Sequence, residues 1–123
     1  MSSKKMLAIG LGASSGRGII GSFDGEKIGL REIHRFSNDP VMTTGGFTWD
    51  TLRLLFEIKT AILKASHDEG GADTLGIDTW GVDYGYIDAA GALLSNPYHY
   101  RDSRTDNIPQ YVFENIIPWR ELY

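Results

Sequence analysis

The segment from residue 10 to residue 18 combines glycine, serine and arginine in a pattern suited to binding an anion. It reads Gly10-Leu-Gly12-Ala-Ser-Ser-Gly16-Arg-Gly18. Glycines free successive backbone N–H groups to form an anion-binding concavity, while the hydroxyls of Ser14 and Ser15 add donors and Arg17 adds a permanent charge. The pattern therefore predicts a phosphate site, and an ordinary turn between two strands is the simpler alternative.

The elements on either side of this turn are predicted to be strands. Met6 to Leu11 is a short apolar run, and the isoleucines and phenylalanine after the turn lead into Asp24-Gly25, which suits a tight hairpin. Lys27 to Phe36 forms a third extended run. Within that run Ile33 breaks the alternation, which predicts a bulge or a strand covered on both faces. Three consecutive antiparallel strands are the simplest account.

The middle of the chain predicts a loop, a helix and a further strand. The loop covers residues 38–46, and a helix capped by Thr48 or Asp50 ends near Gly70-Gly71. Its apolar residues recur at helical spacing and are expected to pack in the core: Leu52, Leu55, Phe56, Ile62 and Leu63. Leu75 and Ile77 mark a short buried strand, more extended chain follows, and residues 109–123 are expected to be partly helical. This order predicts a mixed α/β sheet.

Two other phosphate-binding turns compete with this interpretation. The glycine spacing resembles the cofactor turn of the short-chain dehydrogenases, but that turn must open a helix. Here Gly21 and Gly25 fall within the span of that helix, and each interior glycine destabilises a helix by about 1 kcal/mol relative to alanine. The Tyr-x-x-x-Lys pair of that family is also absent from the sequence. A P-loop is excluded because the chain has no Gly-Lys-Ser/Thr sequence.

Five segments together resemble a known family. In order and spacing, the chain is similar to the FGGY carbohydrate kinases, and within them to the rhamnulokinase branch. The segments are Gly12 to Arg17, Arg31 to Phe36, Trp49-Asp50, Ile77 to Asp83 and Tyr100 to Thr105. The resemblance covers most of the chain, and its last two segments are the most specific to that branch.

The resemblance implies a fold and a reaction. It implies ribonuclease-H-like domains, of the type shared with actin and the heat-shock ATPases, which close on a cleft. Residues 1–123 would be the N-terminal part of the first domain, with the rest of that domain and the second domain outside them. The reaction implied is transfer of the ATP γ-phosphate to the 1-hydroxyl of L-rhamnulose or a similar ketose. The catalytic base, an aspartate, would lie beyond Tyr123, so this segment alone is expected to be inactive.

The resemblance also assigns site residues. The ATP phosphates would contact Ala13, Ser14, Ser15, Gly16 and Arg17, and the sugar would contact Gly81, with Trp80 and Asp83 beside it. An indole face packs well against the C–H surface of a sugar, although Trp80 suits a core position equally well. Asp78 and Asp83 follow a predicted strand and are expected in the cleft.

One position departs from the family pattern. The family has an acidic residue two positions before Gly12, where this chain has Gly10, and that acid helps to place Mg²⁺ against the phosphates. No metal ligand is therefore predicted in this segment, although ATP and Mg²⁺ remain the expected cofactors. Because one preorganised charge is worth about 3 to 4 kcal/mol in other enzymes, a non-catalytic sugar- or nucleotide-sensing protein on the same fold is the leading alternative.

The remaining polar residues favour structural roles. Arg101 and Arg104 are expected to order Asp102 and Asp106 by pairing, with an anion clamp as the alternative. The three histidines, His34, His67 and His99, lack metal-ligand spacing.

Composition limits the class of protein. The chain has 123 residues, 41% of them hydrophobic, a net charge of -4 and no cysteine. These values exclude a disulfide scaffold and a thiolate zinc site, and they argue against a nucleic-acid partner. The apolar stretch at Met6 is too short for a membrane span or a signal peptide, so we expect a cytoplasmic protein with small-molecule partners. With its sheet incomplete, the segment is expected to self-associate through its apolar faces.

Overall fold

The computed structural model describes residues 3–122, which divide into two compact units. The first unit contains the described residues up to Asp39 together with Asp50–Val82, and the second contains Pro40–Trp49 and the described residues from Asp83 onward. The strands are β1 (Lys4–Leu11), β2 (Ser15–Phe23), β3 (Ile28–Ser37), β4 (Val41–Thr43), β5 (Gly46–Thr48) and β6 (Thr74–Thr79). The helices are α1 (Thr51–Glu69), α2 (Ile108–Asn115) and α3 (Trp119–Leu122).

The first unit is a four-stranded mixed sheet in the order β3-β2-β1-β6. Strands β1, β2 and β3 form the predicted antiparallel meander, and β6 returns through α1 to pair in parallel with β1. The predicted bulge is confirmed on β3, because Gly18 pairs with His34 while Ile19 pairs with Glu32, leaving Ile33 as the extra residue.

Helix α1 begins and ends at residues that cap it. The Asp50 carboxylate accepts a hydrogen bond from the Arg53 N–H at 3.0 Å, which confirms one of the two predicted caps. Gly70 ends the helix in the left-handed conformation at φ 71°, where glycine has no steric penalty.

The helix packs on the sheet through small residues, contrary to the sequence prediction. The core consists of Leu7, Ile9 and Ile20 from the sheet with Ala61 and Ala65 from α1. By contrast, the apolar stripe expected in the core is mostly exposed: Leu52 is 77% exposed, Phe56 60% and Leu63 62%. A Cβ built on Gly18 lies 3.0 Å from that of Ala61, so the helix has approached as closely as a glycine allows.

Two other predictions are corrected. Strand β6 is an edge strand whose Leu75 and Ile77 are each about half exposed, because α1 lies over β1, β2 and β3. The segment predicted as a loop over residues 38–46 contains β4 and the start of β5, which pair as a short hairpin.

A buried polar network joins α1 to β3. The Glu57 carboxylate contacts His34 Nε2 at 2.6 Å and accepts a hydrogen bond from Arg53 Nε at 2.6 Å. Lys64 Nζ lies 3.0 Å from His34 Nδ1. Burial alone would raise the pKa of Glu57, but the hydrogen bonds from His34 and Arg53 outweigh it and the pKa is lowered. Glu57 is therefore a charged group held inside the first unit by its partners.

In the second unit, the β4–β5 hairpin is joined to the following chain through backbone contacts. Thr48 bridges to Tyr98, and the Trp49 N–H donates to the Pro97 carbonyl at 2.9 Å. Trp49 is fully buried there. Helices α2 and α3 confirm the prediction that the last residues are partly helical.

We predict that Glu57→Ala lowers the free energy of unfolding by about 2 kcal/mol, because hydrogen bonds to a charged group contribute about 1.5 to 3 kcal/mol. Urea denaturation measures this change. Lys59→Ala, an exposed change on the same helix, is the matched control and should stay within about 0.5 kcal/mol of the parent chain. Equal stability of the two variants would contradict the role given to Glu57.

Candidate functional site

The predicted phosphate turn is shorter than the sequence indicates. Strand β1 ends at Leu11 and β2 begins at Ser15, so only Gly12, Ala13 and Ser14 form the turn. The Gly12 N–H donates to the Ser15 carbonyl at 2.9 Å. A Cβ on Gly12 would lie 2.7 Å from that same oxygen, so this turn requires glycine.

The residues after the turn are part of a strand. Gly16, Arg17 and Gly18 belong to β2 and pair with β1 on one side and β3 on the other. Because a dehydrogenase cofactor turn must open a helix at this point, the observed strand excludes the dehydrogenase alternative.

Asn38 holds the turn from the side, a contact that sequence reasoning missed. Its side-chain Nδ2 donates to the Gly12 carbonyl at 2.8 Å, and its backbone N–H donates to the Ser14 carbonyl at 3.0 Å. The residue is buried. The only sequence signal is an asparagine directly after the β3 strand, which is too common to identify a partner 26 residues earlier.

Gly16 is required by packing. It is buried, and a Cβ built on it would lie 2.0 Å from Cζ of the Phe36 ring. The ring therefore occupies the space of the missing side chain. Phe36 in turn is buried and lies 5.5 Å from the His34 ring, which belongs to the polar network under α1.

Arg17, Gly10 and Asp78 form one row across the sheet. Gly10 pairs with Arg17 on β2 and with Asp78 on β6. The face that carries this row is opposite the face on which Leu7 and Ile9 are buried, because neighbouring residues of a strand point to opposite sides. The row lines an open concavity of about 660 Å³, which also includes Gly12 and Ser15 of the turn.

Two exposed side chains of opposite charge, Arg17 and Asp78, line this concavity. Within residues 3–122, the Arg17 guanidinium has no hydrogen-bond or ion-pair partner. Its cross-strand neighbour Arg35 is bound to Glu32 at 2.9 and 2.7 Å. The hydrogen bond from Arg35, with smaller help from the charge of Arg17, lowers the pKa of Glu32. Arg17 is thus the cation that the concavity offers to an anionic ligand.

The predicted sugar residues divide between the two units. Trp80, which is partly buried, and the exposed Gly81 directly follow β6 in the first unit. Asp83 lies in the second unit, where its carboxylate accepts a hydrogen bond from the Trp49 indole N–H.

Asp102 anchors the second unit; of the predicted arginine–aspartate pairs, the described residues show Arg104 with Asp102, at 3.7 Å. Its carboxylate accepts hydrogen bonds from the Phe47 N–H at 2.7 Å and the Arg104 N–H at 2.9 Å, and the Phe47 bond is the main cause of a lowered pKa. Arg104 stacks over the Tyr98 ring at 4.2 Å.

His99 is buried beside this anchor. Its ring lies 4.3 Å from that of Trp49, its Nδ1 accepts the Arg101 N–H at 2.9 Å, and burial lowers its pKa. A histidine packed this way serves the interior of the second unit.

No described group of three or more histidine, aspartate or glutamate side chains forms a metal cluster in residues 3–122. Over the same residues, the longest helix is too polar to cross a membrane.

Comparison with solved structures defines the fold class. The gluconate kinase of Lactobacillus acidophilus superposes with a TM-score of 0.75 at 13% identity, covering 94% of this chain and 23% of that one. The ligand-bound xylulose kinase of the same organism gives 0.73 at 12% identity, covering 93% and 23%. The fold is therefore that of the sugar kinases of the actin and hexokinase type, as the sequence predicted.

Sequence comparison narrows the class. The chain is 45% identical over 107 residues to the rhamnulokinase of Mannheimia succiniciproducens, and 42% identical over 118 residues to that of an Enterobacter species. These matches cover 85% and 94% of this chain, which confirms the resemblance to rhamnulokinases. The chain spans about a quarter of the length of these relatives, at 22% and 24%. No protein-family model matches it.

We predict opposite outcomes for alanine at two glycines on neighbouring strands. Gly16→Ala should destabilise the first unit by about 1 to 3 kcal/mol, because the new methyl group collides with Phe36. Gly10→Ala is the matched control, since no described atom beyond its chain neighbours lies within 4 Å of the new Cβ. It should be neutral or stabilising by up to about 1 kcal/mol. Urea denaturation of both variants checks the pair, and equal losses would refute the packing role of Gly16.

Proposed function

We propose that this chain is the phosphate-binding part of an ATP-dependent carbohydrate kinase. The observation that carries the proposal is Arg17, an unpartnered guanidinium on the concavity beside a glycine turn. Backbone N–H groups of Ala13, Ser14 and Ser15, with the two hydroxyls, complete a donor set for the phosphates of ATP, next to Gly16 and Arg17 on β2. The names of the rhamnulokinase relatives support the same class.

The reaction proposed is transfer of the γ-phosphate to the 1-hydroxyl of L-rhamnulose or a related ketose. The sugar oxygen forms a bond to the γ-phosphorus, the bond from that phosphorus to the β–γ bridging oxygen breaks, and ADP leaves. The hydroxyl proton passes to a base outside these 123 residues. Gly81 and its neighbour Trp80 contribute to the sugar pocket, with Asp83 as a further candidate.

The residues around the concavity fit a hydrated Mg²⁺ ion. Mg²⁺ keeps several waters and is commonly held by one or two carboxylates together with substrate phosphates. Asp78 supplies one carboxylate and Ser15 one hydroxyl at the edge of the concavity. When bound, the ion would neutralise charge that develops on the phosphates. This chain's own contribution is to orient the phosphates through Arg17 and the turn.

A second candidate function rests on Gly10. The same fold without a carboxylate at this position suits a protein that binds a sugar or nucleotide without transferring phosphate. For either function we propose a cytoplasmic protein with small-molecule partners. The exposed stripe of α1 would support self-association of the segment.

We predict that Arg17 contributes directly to phosphate binding. The Kd of tripolyphosphate is measured by titration, with the NMR shifts of the backbone amides in the turn as the signal. Arg17→Ala should raise this Kd at least tenfold, because a charge-assisted hydrogen bond is among the stronger hydrogen bonds. Lys27→Ala, which removes an exposed cation at the far end of the β2–β3 hairpin, is the control and should change the Kd less than threefold. A common Kd for both variants would refute the site.

Kinase and sensor are separated by a chimera in which these residues replace the matching quarter of the Mannheimia relative. The kinase proposal expects ATP consumption that depends on a ketose, with L-rhamnulose preferred. The sensor alternative expects ligand binding without turnover, and turnover only after Gly10→Asp. Consumption that is independent of sugar, in a chimera that folds, would contradict both.

A further inference from the structure

We propose that Asp78 makes the concavity a site for a divalent cation bound together with a phosphate chain, with Gly10 providing the space for the ion. This inference rests on the proposed phosphate site. It assigns the cation to a carboxylate on β6, one strand away from the position where the family pattern has its acid. The ligand class is a polyphosphate complex of a divalent ion such as Mg²⁺.

The sheet register places the two charges at opposite sides of one gap. Arg17 and Asp78 flank Gly10 on its two neighbouring strands and line the same concavity. Strands lie about 4.7 to 4.9 Å apart, so the backbones of the two flanking residues are separated by about 9.5 Å. Within residues 3–122, no ion pair joins the two side chains. A complex of a phosphate chain with a cation suits this arrangement, because its phosphate can contact Arg17 while its cation contacts Asp78.

The negative charge of Asp78 disfavours binding of a phosphate chain that carries no cation. A carboxylate a few ångströms from a polyanion repels it, and at a partly exposed site this weakens binding by about tenfold. A divalent ion placed between the two reverses the sign of the interaction. Asp78 therefore makes phosphate binding depend on the cation.

Gly10 supplies the room that a hydrated ion needs. The position lies directly between Arg17 and Asp78, and a Cβ there would have no described atom within 4 Å beyond its chain neighbours. Gly10 and Asp78 are paired on neighbouring parallel strands, which lie about 4.7 to 4.9 Å apart, and both face the concavity. A carboxylate at position 10 would thus reach almost the same point as that of Asp78. The glycine and the aspartate together can do what one acid at position 10 does in the family pattern.

The experiment measures the Kd of tripolyphosphate for the 123-residue chain by calorimetry, with Mg²⁺ and with EDTA. For the parent chain we expect binding at least tenfold tighter with Mg²⁺. Asp78→Asn should reduce that ratio to below threefold, and it should not weaken binding in EDTA. Asp68→Asn, an exposed change on α1, is the control and should keep the parent ratio.

A double variant distinguishes cation placement from a structural role. Gly10→Asp in the Asp78→Asn background should restore the Mg²⁺ dependence, because it returns a carboxylate to the same gap. With Mn²⁺ in place of Mg²⁺, the parent chain should broaden the Mn²⁺ paramagnetic resonance beyond that of the Mn²⁺–tripolyphosphate complex alone, and Asp78→Asn should abolish this added broadening. Circular dichroism confirms that each variant is folded.

Three results would overturn the inference, and one of them would overturn the phosphate site as well. If Asp78→Asn keeps the full Mg²⁺ dependence while Arg17→Ala still weakens binding, Asp78 has no part in placing the cation and the phosphate site stands. If the parent chain binds tripolyphosphate in neither condition, both the inference and the phosphate site fall. Failure of Gly10→Asp to restore the dependence in Asp78→Asn would also contradict the shared position of the two carboxylates.

Discussion

The alternation of side chains along β1 is the constraint on which the rest of the first unit depends. Leu7 and Ile9 are buried under α1, so Ala8 and Gly10 must face the other side of the sheet. A slip of one residue would bury the opposite set, so burial of this core fixes the register of the strand. The same register places Arg17 and Asp78 beside Gly10. The hydrophobic core and the candidate phosphate site are two faces of one strand.

Glycines near the turn serve different physical purposes. Gly12 allows the tight turn, Gly16 admits the Phe36 ring and Gly18 allows α1 to approach through Ala61. Gly10 alone has open space where its side chain would be. A single glycine-rich segment therefore combines backbone geometry, close packing on the α1 face of β2 and room for a ligand on the opposite face of β1. The sequence pattern treats these positions as equivalent, and only their neighbours distinguish them.

Features set by local sequence were predicted well. The antiparallel meander, the bulge near Ile33, the Asp50 cap and the end of α1 all follow from short-range patterns, and each is observed. The face of α1 that meets the sheet was predicted wrongly, because helical periodicity identifies an apolar stripe without identifying what covers it. Asn38 was missed because its contacts with Gly12 and Ser14 join residues far apart in the chain.

The sequence by itself determined the class of fold and indicated the chemical groups of the candidate site. Glycine, serine and arginine directly after a first strand predict an anion site, and five spaced segments indicate a sugar kinase of the rhamnulokinase type. Only the tertiary structure decided that Arg17 is unpartnered and that Asp78 lies across Gly10 from it. The physical reason is that pairing of β1 with β6 joins residues separated by α1. Local patterns predict that such strands exist, whereas their register is set by burial of Leu7 and Ile9.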